Sequence, residues 1–462
     1  MLLASTLHLS LALFIPAVLP GWALLLLGAI GAFLLTYALT FGVKALCIRM
    51  NWLDRPAERR VHKIPVPRLG GVAIYLAFAI ISLLLYVPGP QNEINIYWLL
   101  LIAGFVTVVV HAYDDVMGLG PWPKLIAQTL AVLLILGPWN GQFHGVLLFT
   151  VNNPFGQHIA NPALPWYQQP TIELLINSQL ISWAAIPAIL LTWFWTVGMM
   201  NTVNWIDGMD GLATGVVGIT ALFVTIISLM LGQQSIAVLA AIFTGAVFGF
   251  LPHNWNPARV FMGDSGAMFL GLALAVLSIM GGAKLALALM VLGVPILDVA
   301  LVILNRLRRG QSPLHYDKTH LHHRLLSMGF SVRQICYLLY GLALTFGLLA
   351  VGISGLQVGA SAHFSKLIGI GLVVVAMIAL IIWADRRQRQ RGAFIKLDGP
   401  ENTPGAMSPK DMAPNTETKL TGYNSSPSAD EHQYHGILVA SPLRIAQPGE
   451  HEPELQKTRL LP

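Results

Sequence analysis

The chain has 462 residues, of which 55% are hydrophobic and 10% are charged, and its mean hydropathy is +0.67. Soluble domains carry about 25% charged residues, so this composition excludes a soluble globular protein and indicates an integral membrane protein. The net charge of +6 suggests an anionic partner, but in a membrane protein the placement of Lys and Arg reports topology first. Cys47 and Cys336 lie far apart in apolar sequence, so neither a disulfide framework nor a CxxC metal pair is expected.

Apolar runs long enough to cross a bilayer recur along the chain. A transmembrane helix needs ~20 mostly apolar residues. The qualifying runs are 24–48, 69–87, 96–113, 123–138, 180–200, 211–231, 235–252, 266–281, 283–304, 335–356 and 366–384. The sequence therefore predicts an all-α, polytopic membrane protein with about eleven transmembrane helices. Residues 1–20 form one more apolar run without the basic start of a cleaved signal peptide, and we expect it to lead into the first span.

Basic residues collect in alternate connections between these runs. The first connection, residues 49–68, and the ninth, residues 305–334, hold six Lys or Arg each, and four Arg follow the last run. The opposite side offers only Lys284 and Lys366. Because Lys and Arg mark the cytoplasmic side, we predict that the N-terminus lies outside and the C-terminus in the cytoplasm.

The last part of the chain differs in composition from the rest. Residues 386–462 are rich in Pro, Ser, Thr, Asn and charge, and they hold nine of the 21 acidic residues. A segment of this kind has too few apolar residues to bury a core. We therefore predict a membrane-embedded domain over residues 1–385 and a disordered cytoplasmic tail over residues 386–462.

The twelve acidic residues outside the tail are unevenly placed. Those on the side of the basic connections are Asp54, Glu58, Asp114, Asp115, Asp207, Asp210, Asp264, Asp317 and Asp385. Asp298 lies inside a run, and only Glu93 and Glu173 fall on the opposite side. The tendency that orients basic residues does not place acidic ones, so this surface suits a site that binds a metal ion and a polyanion together.

Asp114 and Asp115 end the third span. If that helix runs toward the cytoplasm, its macrodipole disfavours each carboxylate by about 0.3–1 kcal/mol. A pair kept there indicates a bound cation or a proton to be moved, and two solvated loop acids are the alternative. Lys124, at the start of the fourth span, is either a phosphate contact or a lysine that anchors the helix at the membrane surface.

Four polar residues at a spacing of three end the fifth span: Asn201, Asn204, Asp207 and Asp210. A step of ~100° per residue spreads the series over half a turn of a helix, so we expect a helix end that opens into a polar loop. The oxygens of Asn and Asp are hard ligands suited to Mg²⁺. The alternative, a turn that only caps the next helix, fits Asp210 and explains the two asparagines poorly.

Two further motifs suit phosphate. Arg259 precedes Gly263-Asp264-Ser265-Gly266 at the start of the eighth span, where Asp264 or Ser265 would cap the helix and the glycines, Arg259 and helix N-terminus would also accept a phosphate. The ninth connection carries His320, His322, His323 and Arg324. Without Cys, a closed zinc site is disfavoured, so the cluster is either a phosphate clamp or a solvated basic loop. Asp298 inside a span is a functional candidate.

Together these motifs resemble those of the polyprenyl-phosphate N-acetylhexosamine-1-phosphate transferases, the superfamily of WecA and MraY. In chain order they are Asp54-Arg-Pro with His62-Lys-Ile-Pro-Val-Pro-Arg68-Leu-Gly-Gly; Asp114-Asp115 with Lys124; Asn201-xx-Asn204-xx-Asp207-Gly-Met-Asp210-Gly-Leu; Pro257-Ala-Arg259 with Phe-Met-Gly-Asp264-Ser-Gly; Pro295-Ile-Leu-Asp298; and His320-Leu-His322-His323-Arg324. Each motif alone is weak, but six in order on one predicted face are specific.

The resemblance implies a reaction. Such enzymes transfer a sugar 1-phosphate from a UDP-sugar to undecaprenyl phosphate and release UMP, at the cytoplasmic face of the bacterial inner membrane and with Mg²⁺, for which Mn²⁺ is a substitute. The His-Leu-His-His-Arg loop resembles the branch that uses UDP-N-acetylhexosamines, most often UDP-GlcNAc. The partners implied are therefore UDP-N-acetylhexosamine, undecaprenyl phosphate and the lipid bilayer, with a homodimer as a further expectation and without nucleic acid.

Residue roles are carried over by the same resemblance. The catalytic residues implied are Asp114, Asp115 and Asp264. The metal ligands implied are Asn204 and Asp264. The substrate-binding residues implied are Lys124, Asn201, Asp207, Asp210, Arg259, His320, His322, His323 and Arg324. The lipid phosphate attacks in line with Asp114 keeping it deprotonated, or an aspartate acts as a covalent nucleophile, and the sequence leaves both routes open.

Two other kinds of protein fit part of the sequence. A secondary transporter or lipid flippase has a similar number of spans, but transporters place their polar site near the bilayer midplane between repeats, and here only Asp298 lies well inside a span. A membrane scaffold that recruits partners through its tail explains residues 386–462 and none of the motifs. The scaffold predicts that the tail alone suffices, so we expect truncation after Arg391 to leave activity intact.

Overall fold

The computed structural model describes residues 20–54, 65–89, 91–137, 173–176, 179–182, 185–281 and 325–355, together with a few isolated residues up to Arg386. In these ranges the helices are α1 (Gly21–Met50), α2 (Gly70–Leu85), α3 (Gln91–Met117), α4 (Pro121–Leu136), α5 (Ala185–Ile206), α6 (Leu212–Met230), α7 (Gln234–Asn254), α8 (Gly263–Met280) and α9 (Val332–Gly355). Each coincides with one of the predicted apolar runs. The predicted runs 283–304 and 366–384, and the tail beyond Arg386, lie almost entirely outside the described residues.

The described helices make this a polytopic membrane protein. Six are long and apolar enough to cross a bilayer, namely α1, α3, α6, α7, α8 and α9. Two shorter apolar helices, α2 and α4, have 16 residues each. The prediction of a multi-spanning helical fold is confirmed, while the total of about eleven spans and the side on which each terminus lies stay predictions.

Short strands modify the all-α prediction. Strand β1 (Leu53–Asp54) pairs antiparallel with β2 (Val66–Pro67), and β3 (Glu173–Ile176) pairs antiparallel with β4 (Gln179–Ser182). The predicted run 180–200 is therefore wrong at both ends, because its first residues belong to β4 and the helix extends from Ala185 to Ile206. Pro187 is accommodated there because proline is tolerated in the first turn of a helix.

Helices α6 and α8 form the centre of the bundle, and α1 lies at its edge. The most apolar window of α6 and of α8 is 83% buried, whereas that of α1 is 22% buried. The exposed side of α1 carries large apolar side chains such as Trp22, Leu34 and Phe41. An exposed apolar face on an outer helix is what contact with lipid requires, because lipid tails are as apolar as the side chains.

One close helix crossing brings two groups of polar residues to the same end of the bundle. Helices α5 and α8 pack so closely that a Cβ atom added to Gly271 would lie 2.5 Å from the Cα atom of Met200. Asp264 lies seven residues before Gly271, and Asp207 lies seven residues after Met200. Because the rise per helical residue is constant, the antiparallel crossing brings the start of α8 and the end of α5 to the same end of the bundle.

Candidate active site

The start of α8 is capped by a carboxylate from another helix. Asp115, in the last turn of α3, accepts hydrogen bonds from the backbone N–H groups of Asp264 at 2.8 Å and Ser265 at 3.0 Å. The prediction that Asp264 or Ser265 caps this helix is wrong, since α8 already begins at Gly263. The cap position is Met262, whose side chain accepts no hydrogen bond from the helix. The positive N-terminus of α8 thus compensates for the unfavourable position of Asp115 at the C-terminus of α3.

Arg68 joins two of the acidic residues. Its Nε atom lies 3.3 Å from Oδ1 of Asp115, and its Nη2 atom lies 3.1 Å from Oδ1 of Asp264. The segment that carries Arg68 is fixed against the residues before α8, because Phe261 N donates to Pro67 O at 2.7 Å and Gly70 N donates to Phe261 O at 3.0 Å. The planar guanidinium therefore bridges the carboxylates from a rigid backbone.

Gly263 makes this close approach possible. Its φ of +75° is a conformation that residues with a Cβ atom rarely adopt. A Cβ atom here would lie 2.2 Å from Arg68 O and 2.4 Å from Oδ2 of Asp115. The cap on α8 and the path of the Arg68 backbone both require glycine at this position.

Lys124 joins the remaining pair of acidic residues. Its Nζ atom, near the start of α4, lies 2.6 Å from Oδ2 of Asp114 and 2.7 Å from Oδ2 of Asp264. The other oxygen of Asp114, Oδ1, accepts the N–H of Leu119 at 2.6 Å. The structure thus brings together all three predicted catalytic residues, and it places Lys124, predicted to bind substrate phosphate, on two of their carboxylates.

The end of α5 contributes amides and one more acid. Asn201 exchanges hydrogen bonds with the side-chain amide of Gln128 on α4, the shorter being 2.8 Å, and also donates to Val197 O. Asn204 lies one turn further on, and Asp207 follows the helix. Desolvation raises the pKa of Asp207 well above its usual range, and the nearby negative charge of Asp264 raises it further. Asp207 therefore belongs to the same acidic cluster. The described hydrogen bonds of Asn201 link α5 to α4.

Asp210 supports a loop instead of capping α6. Its Oδ2 atom accepts hydrogen bonds from Asn256 Nδ2 at 2.9 Å and from Ala258 N at 3.0 Å. The alternative that Asp210 caps α6 is wrong, because the cap position is Gly211, whose N–H donates to Oδ1 of Asn254 at 3.0 Å. Asp210 thus holds the segment that precedes α8, and the side chain of Arg259 in that segment is exposed.

Helix α9 holds the same segment from the other side. Arg333 donates from Nε and Nη2 to Asn256 O, at 3.0 and 2.8 Å, and the Tyr340 hydroxyl donates to Gly211 O. Arg333 lies in the connection after the ninth run, Asn256 in the connection after the seventh, and Gly211 directly after the connection that follows the fifth. In the same way, Arg68 and Lys124 lie in or next to the connections after the first and third runs and contact Asp264, in the connection after the seventh. The odd-numbered connections therefore meet at one end of the bundle, as the charge pattern predicts.

Some predicted site residues lie outside the described residues. These are His320, His322, His323 and Arg324, with Asp298. Their roles in binding phosphate or supporting the site stay predictions.

The structure adds residues that the sequence reasoning did not select. Arg68 and Gln128 contact predicted site residues directly, and His111 lies one turn before Asp114 on the same face of α3. His111 is fully buried, its Nδ1 lies 2.8 Å from Thr107 O, and its Nε2 has no partner among the described residues. The spacing of His111 from the acidic pair was a usable signal, whereas Arg68 was named as a basic residue of the cytoplasmic side and as part of a family motif without a role in the site.

The charges of the cluster fit a divalent cation. Among the described residues, Asp114, Asp115 and Asp264 share two cations, Arg68 and Lys124, which leaves one negative charge in excess when all three are ionised. Asp207, whose raised pKa favours its neutral form, adds a further negative charge when it ionises. Among the described residues, no three His, Cys, Asp or Glu side chains form a ready-made metal cage. Mg²⁺ needs none, because it keeps several waters and binds through one or two carboxylates together with substrate phosphates.

The fold and the site define a multi-spanning membrane protein with a carboxylate-rich, cation-bridged site at one end of its helical bundle. The family model described as glycosyl transferase family 4 matches residues 97–282, a range that includes the described acidic residues from Asp114 to Asp264.

Curated relatives cover most of the chain. A decaprenyl-phosphate N-acetylglucosaminephosphotransferase of Mycolicibacterium smegmatis is 32% identical over 76% of this chain and 86% of the relative. A probable undecaprenyl-phosphate N-acetylglucosaminyl 1-phosphate transferase of Bacillus subtilis is 27% identical over 74% and 88%. A phospho-N-acetylmuramoyl-pentapeptide-transferase of Staphylococcus aureus is 28% identical over 71% and 97%. The chain therefore belongs to the polyprenyl-phosphate N-acetylhexosamine-1-phosphate transferase family.

Proposed function

We propose that this protein transfers N-acetylglucosamine 1-phosphate from UDP-N-acetylglucosamine to undecaprenyl phosphate and releases UMP. The reaction takes place with Mg²⁺ at the cytoplasmic face of a bacterial inner membrane. The observation that carries the proposal is the network of Asp114, Asp115 and Asp264 around Arg68 and Lys124, in a chain that aligns with acetylglucosamine-phosphate transferases over most of its length.

A lipid acceptor is supported by the surface beside this network. Tyr113 and Met117 on α3 are 55% and 64% exposed, and Trp122 and Ile126 on α4 are 72% and 58% exposed. These apolar side chains flank Asp114 and Lys124 in the chain, so a prenyl chain held in the bilayer can lie against them while its phosphate reaches the cluster.

Two phosphates must approach each other in this reaction, so the barrier is largely electrostatic. Asp264 and Asn204 are proposed to hold Mg²⁺, which would supply positive charge to the phosphoryl oxygens. Arg68 and Lys124 supply cations beside the same carboxylates, where they neutralise charge that develops during transfer. His320, His322, His323 and Arg324 are proposed to hold the phosphates of the nucleotide sugar, and Asp207, Asp210, Asn201 and Arg259 to line its binding side.

Direct attack by the lipid phosphate is the favoured route. Both oxygens of Asp115 accept backbone hydrogen bonds at the start of α8, and both oxygens of Asp114 are engaged, by Leu119 and Lys124. A carboxylate fixed in this way is a poor nucleophile, because it must give up these contacts to form a bond. Isolation of an acid-stable adduct on Asp114 or Asp115 would contradict direct attack.

A transporter is the second candidate and is not favoured. Among the described residues, the charged cluster lies at helix ends, whereas transporters place substrate sites near the midplane. A homodimer remains an expectation.

The test is transfer of radiolabelled sugar phosphate from UDP-N-acetylglucosamine to undecaprenyl phosphate by the purified protein in detergent with Mg²⁺. We expect a labelled lipid and UMP from the wild type, and a loss of about 1,000-fold in Asp264→Asn, since that change removes the proposed metal ligand and a charge at the reacting phosphates. Glu93→Gln is the control, because it neutralises an acid at the other end of the bundle. Failure to form product from any UDP-hexosamine in a panel would overturn the proposal.

A further inference from the structure

Both carboxylate oxygens of Asp264 are engaged by protein cations. Oδ1 accepts from Nη2 of Arg68 at 3.1 Å, and Oδ2 accepts from Nζ of Lys124 at 2.7 Å. The Asp264 side chain is only 13% exposed, so a cation that approaches it is poorly screened by water. A divalent ion bound to Asp264 would therefore repel whichever protein cation stays on the oxygen that it uses.

Arg68 is the partner that is fixed. It contacts Asp115 as well as Asp264, and Asp115 itself accepts hydrogen bonds from the N–H groups of Asp264 and Ser265 in the first turn of α8. The backbone on either side of Arg68 is hydrogen-bonded to Phe261. Movement of Arg68 away from Asp264 would therefore disturb the cap of α8 as well.

Lys124 is the partner that is free to move. Its side chain is 26% exposed and that of Arg68 is 36% exposed, so exposure does not distinguish them and the contacts do. Among the described residues Lys124 binds Asp114 and Asp264 and not Asp115, so its ammonium group can swing without disturbing the cap of α8. Asp114 lies 2.6 Å from the ammonium group and retains it when the contact with Asp264 is broken. The ammonium group has three N–H donors, and the two described carboxylate contacts occupy only two of them.

We propose that Lys124 is an exchangeable counter-ion that occupies the Mg²⁺-binding oxygen of Asp264 and turns to the phosphate of the substrate when the metal binds. The inference rests on the proposed function, in which Asp264 holds Mg²⁺. Metal and phosphate then bind cooperatively, because the metal frees the lysine that the phosphate needs. By linkage, phosphate also strengthens metal binding by the same factor.

The experiment measures Mn²⁺ binding to the full-length protein in detergent by the loss of the free Mn²⁺ EPR signal, with and without a short-chain prenyl phosphate. Lys124→Gln removes the competing charge, and we expect it to bind Mn²⁺ about tenfold more tightly than the wild type when no phosphate is present, within the usual range for coupled sites. Prenyl phosphate should tighten Mn²⁺ binding to the wild type by a larger factor than it does for Lys124→Gln, in which only the direct attraction between metal and phosphate remains.

Two further variants serve as controls. Lys124→Arg keeps the charge and should bind Mn²⁺ like the wild type. Arg333→Gln removes a positive charge whose described contacts are with the Asn256 carbonyl and not with a carboxylate, and it should also leave Mn²⁺ affinity unchanged. If Asp264→Asn abolishes Mn²⁺ binding but Lys124→Gln binds Mn²⁺ no more tightly than the wild type, the role proposed for Lys124 is wrong and the metal site stands. Absence of Mn²⁺ binding from the wild type and all variants would overturn the metal site as well, while sugar-phosphate transfer measured separately would still test the reaction.

Discussion

The two ends of α3 hold acidic side chains in opposite surroundings. At one end, Glu93 accepts hydrogen bonds from neutral donors, Gly89 N at 2.8 Å and Ser235 Oγ at 2.6 Å. At the other end, Asp114 and Asp115 share Lys124 and Arg68 with Asp264. A single carboxylate with neutral donors links helices, whereas three carboxylates around two cations, counted over the described residues, leave a negative charge that a bound cation would neutralise. Helix α3 therefore carries a structural carboxylate at one end and candidate catalytic carboxylates at the other.

The largest expected effect comes from Gly263→Ala, compared with Gly118→Ala. Both glycines have a φ of +75°, but only a Cβ atom at Gly263 meets other atoms, those of Arg68 and Asp115. We expect Gly118→Ala to cost about 1–2 kcal/mol of stability from its backbone conformation alone, and Gly263→Ala to cost about 4 kcal/mol or more because it also disrupts packing. Thermal unfolding in detergent measures the difference, and equal losses would show that the close approach at Gly263 is unimportant.

The next effect is on the cation that bridges Asp115 and Asp264. Arg68→Lys keeps the charge but not the planar fork, so it cannot contact both carboxylates in the same way. We expect transfer activity to fall about 100-fold, in the range for loss of one fixed electrostatic group. Arg333→Lys, which alters contacts with Asn256 O and no carboxylate, should lose much less. Comparable losses in the two variants would mean that Arg68 acts only in folding.

A stability measurement at several pH values tests whether Asp207 belongs to the acidic cluster. Because burial raises the pKa of Asp207 in the folded protein, the wild type loses stability as pH rises through that folded pKa, whereas Asp207→Asn does not titrate. In EDTA, the melting temperature of Asp207→Asn relative to the wild type should rise with pH, by about 2–4 °C for each kcal/mol involved. Added Mg²⁺ should narrow this gap, and a gap that is independent of pH would contradict the placement of Asp207 in the acidic cluster.

The smallest effect is expected at the other end of α3. Ser235→Ala removes one donor to the Glu93 carboxylate, and a hydrogen bond to a charged group contributes about 1.5–3 kcal/mol, less than the cost expected at Gly263. We expect a small drop in melting temperature and unchanged transfer activity. A loss of activity like that of Arg68→Lys would break the division between the two ends.

Hydropathy and charge placement predicted much of this molecule. Nine of the predicted runs coincide with described helices, and the odd-numbered connections meet at one end, because span length and basic residues are local properties of the chain. The predicted catalytic residues Asp114, Asp115 and Asp264 do lie together.

The contacts between distant segments could not be predicted in the same way. Asp115 caps a helix that begins about 150 residues later, and Asp210 binds the segment around Asn256 instead of the helix that follows it. Local patterns describe a cap or a turn within a few residues, so they assigned these roles to the wrong partners. The start of β4 was misread for a related reason, since a short apolar strand before a helix cannot be told from its first turn by composition.

The cap that α3 provides for α8 links the order of assembly to activity. Arg68, Lys124, Asp207 and Asp264 come from four separate stretches of the chain, and Asp115 holds the last of these in place only after α3 and α8 have met. A chain that has inserted some helices but not packed them carries no joined set of carboxylates and cations. Partly assembled molecules in the membrane are therefore inert toward phosphorylated lipids, and the catalytic surface is complete only when the bundle is.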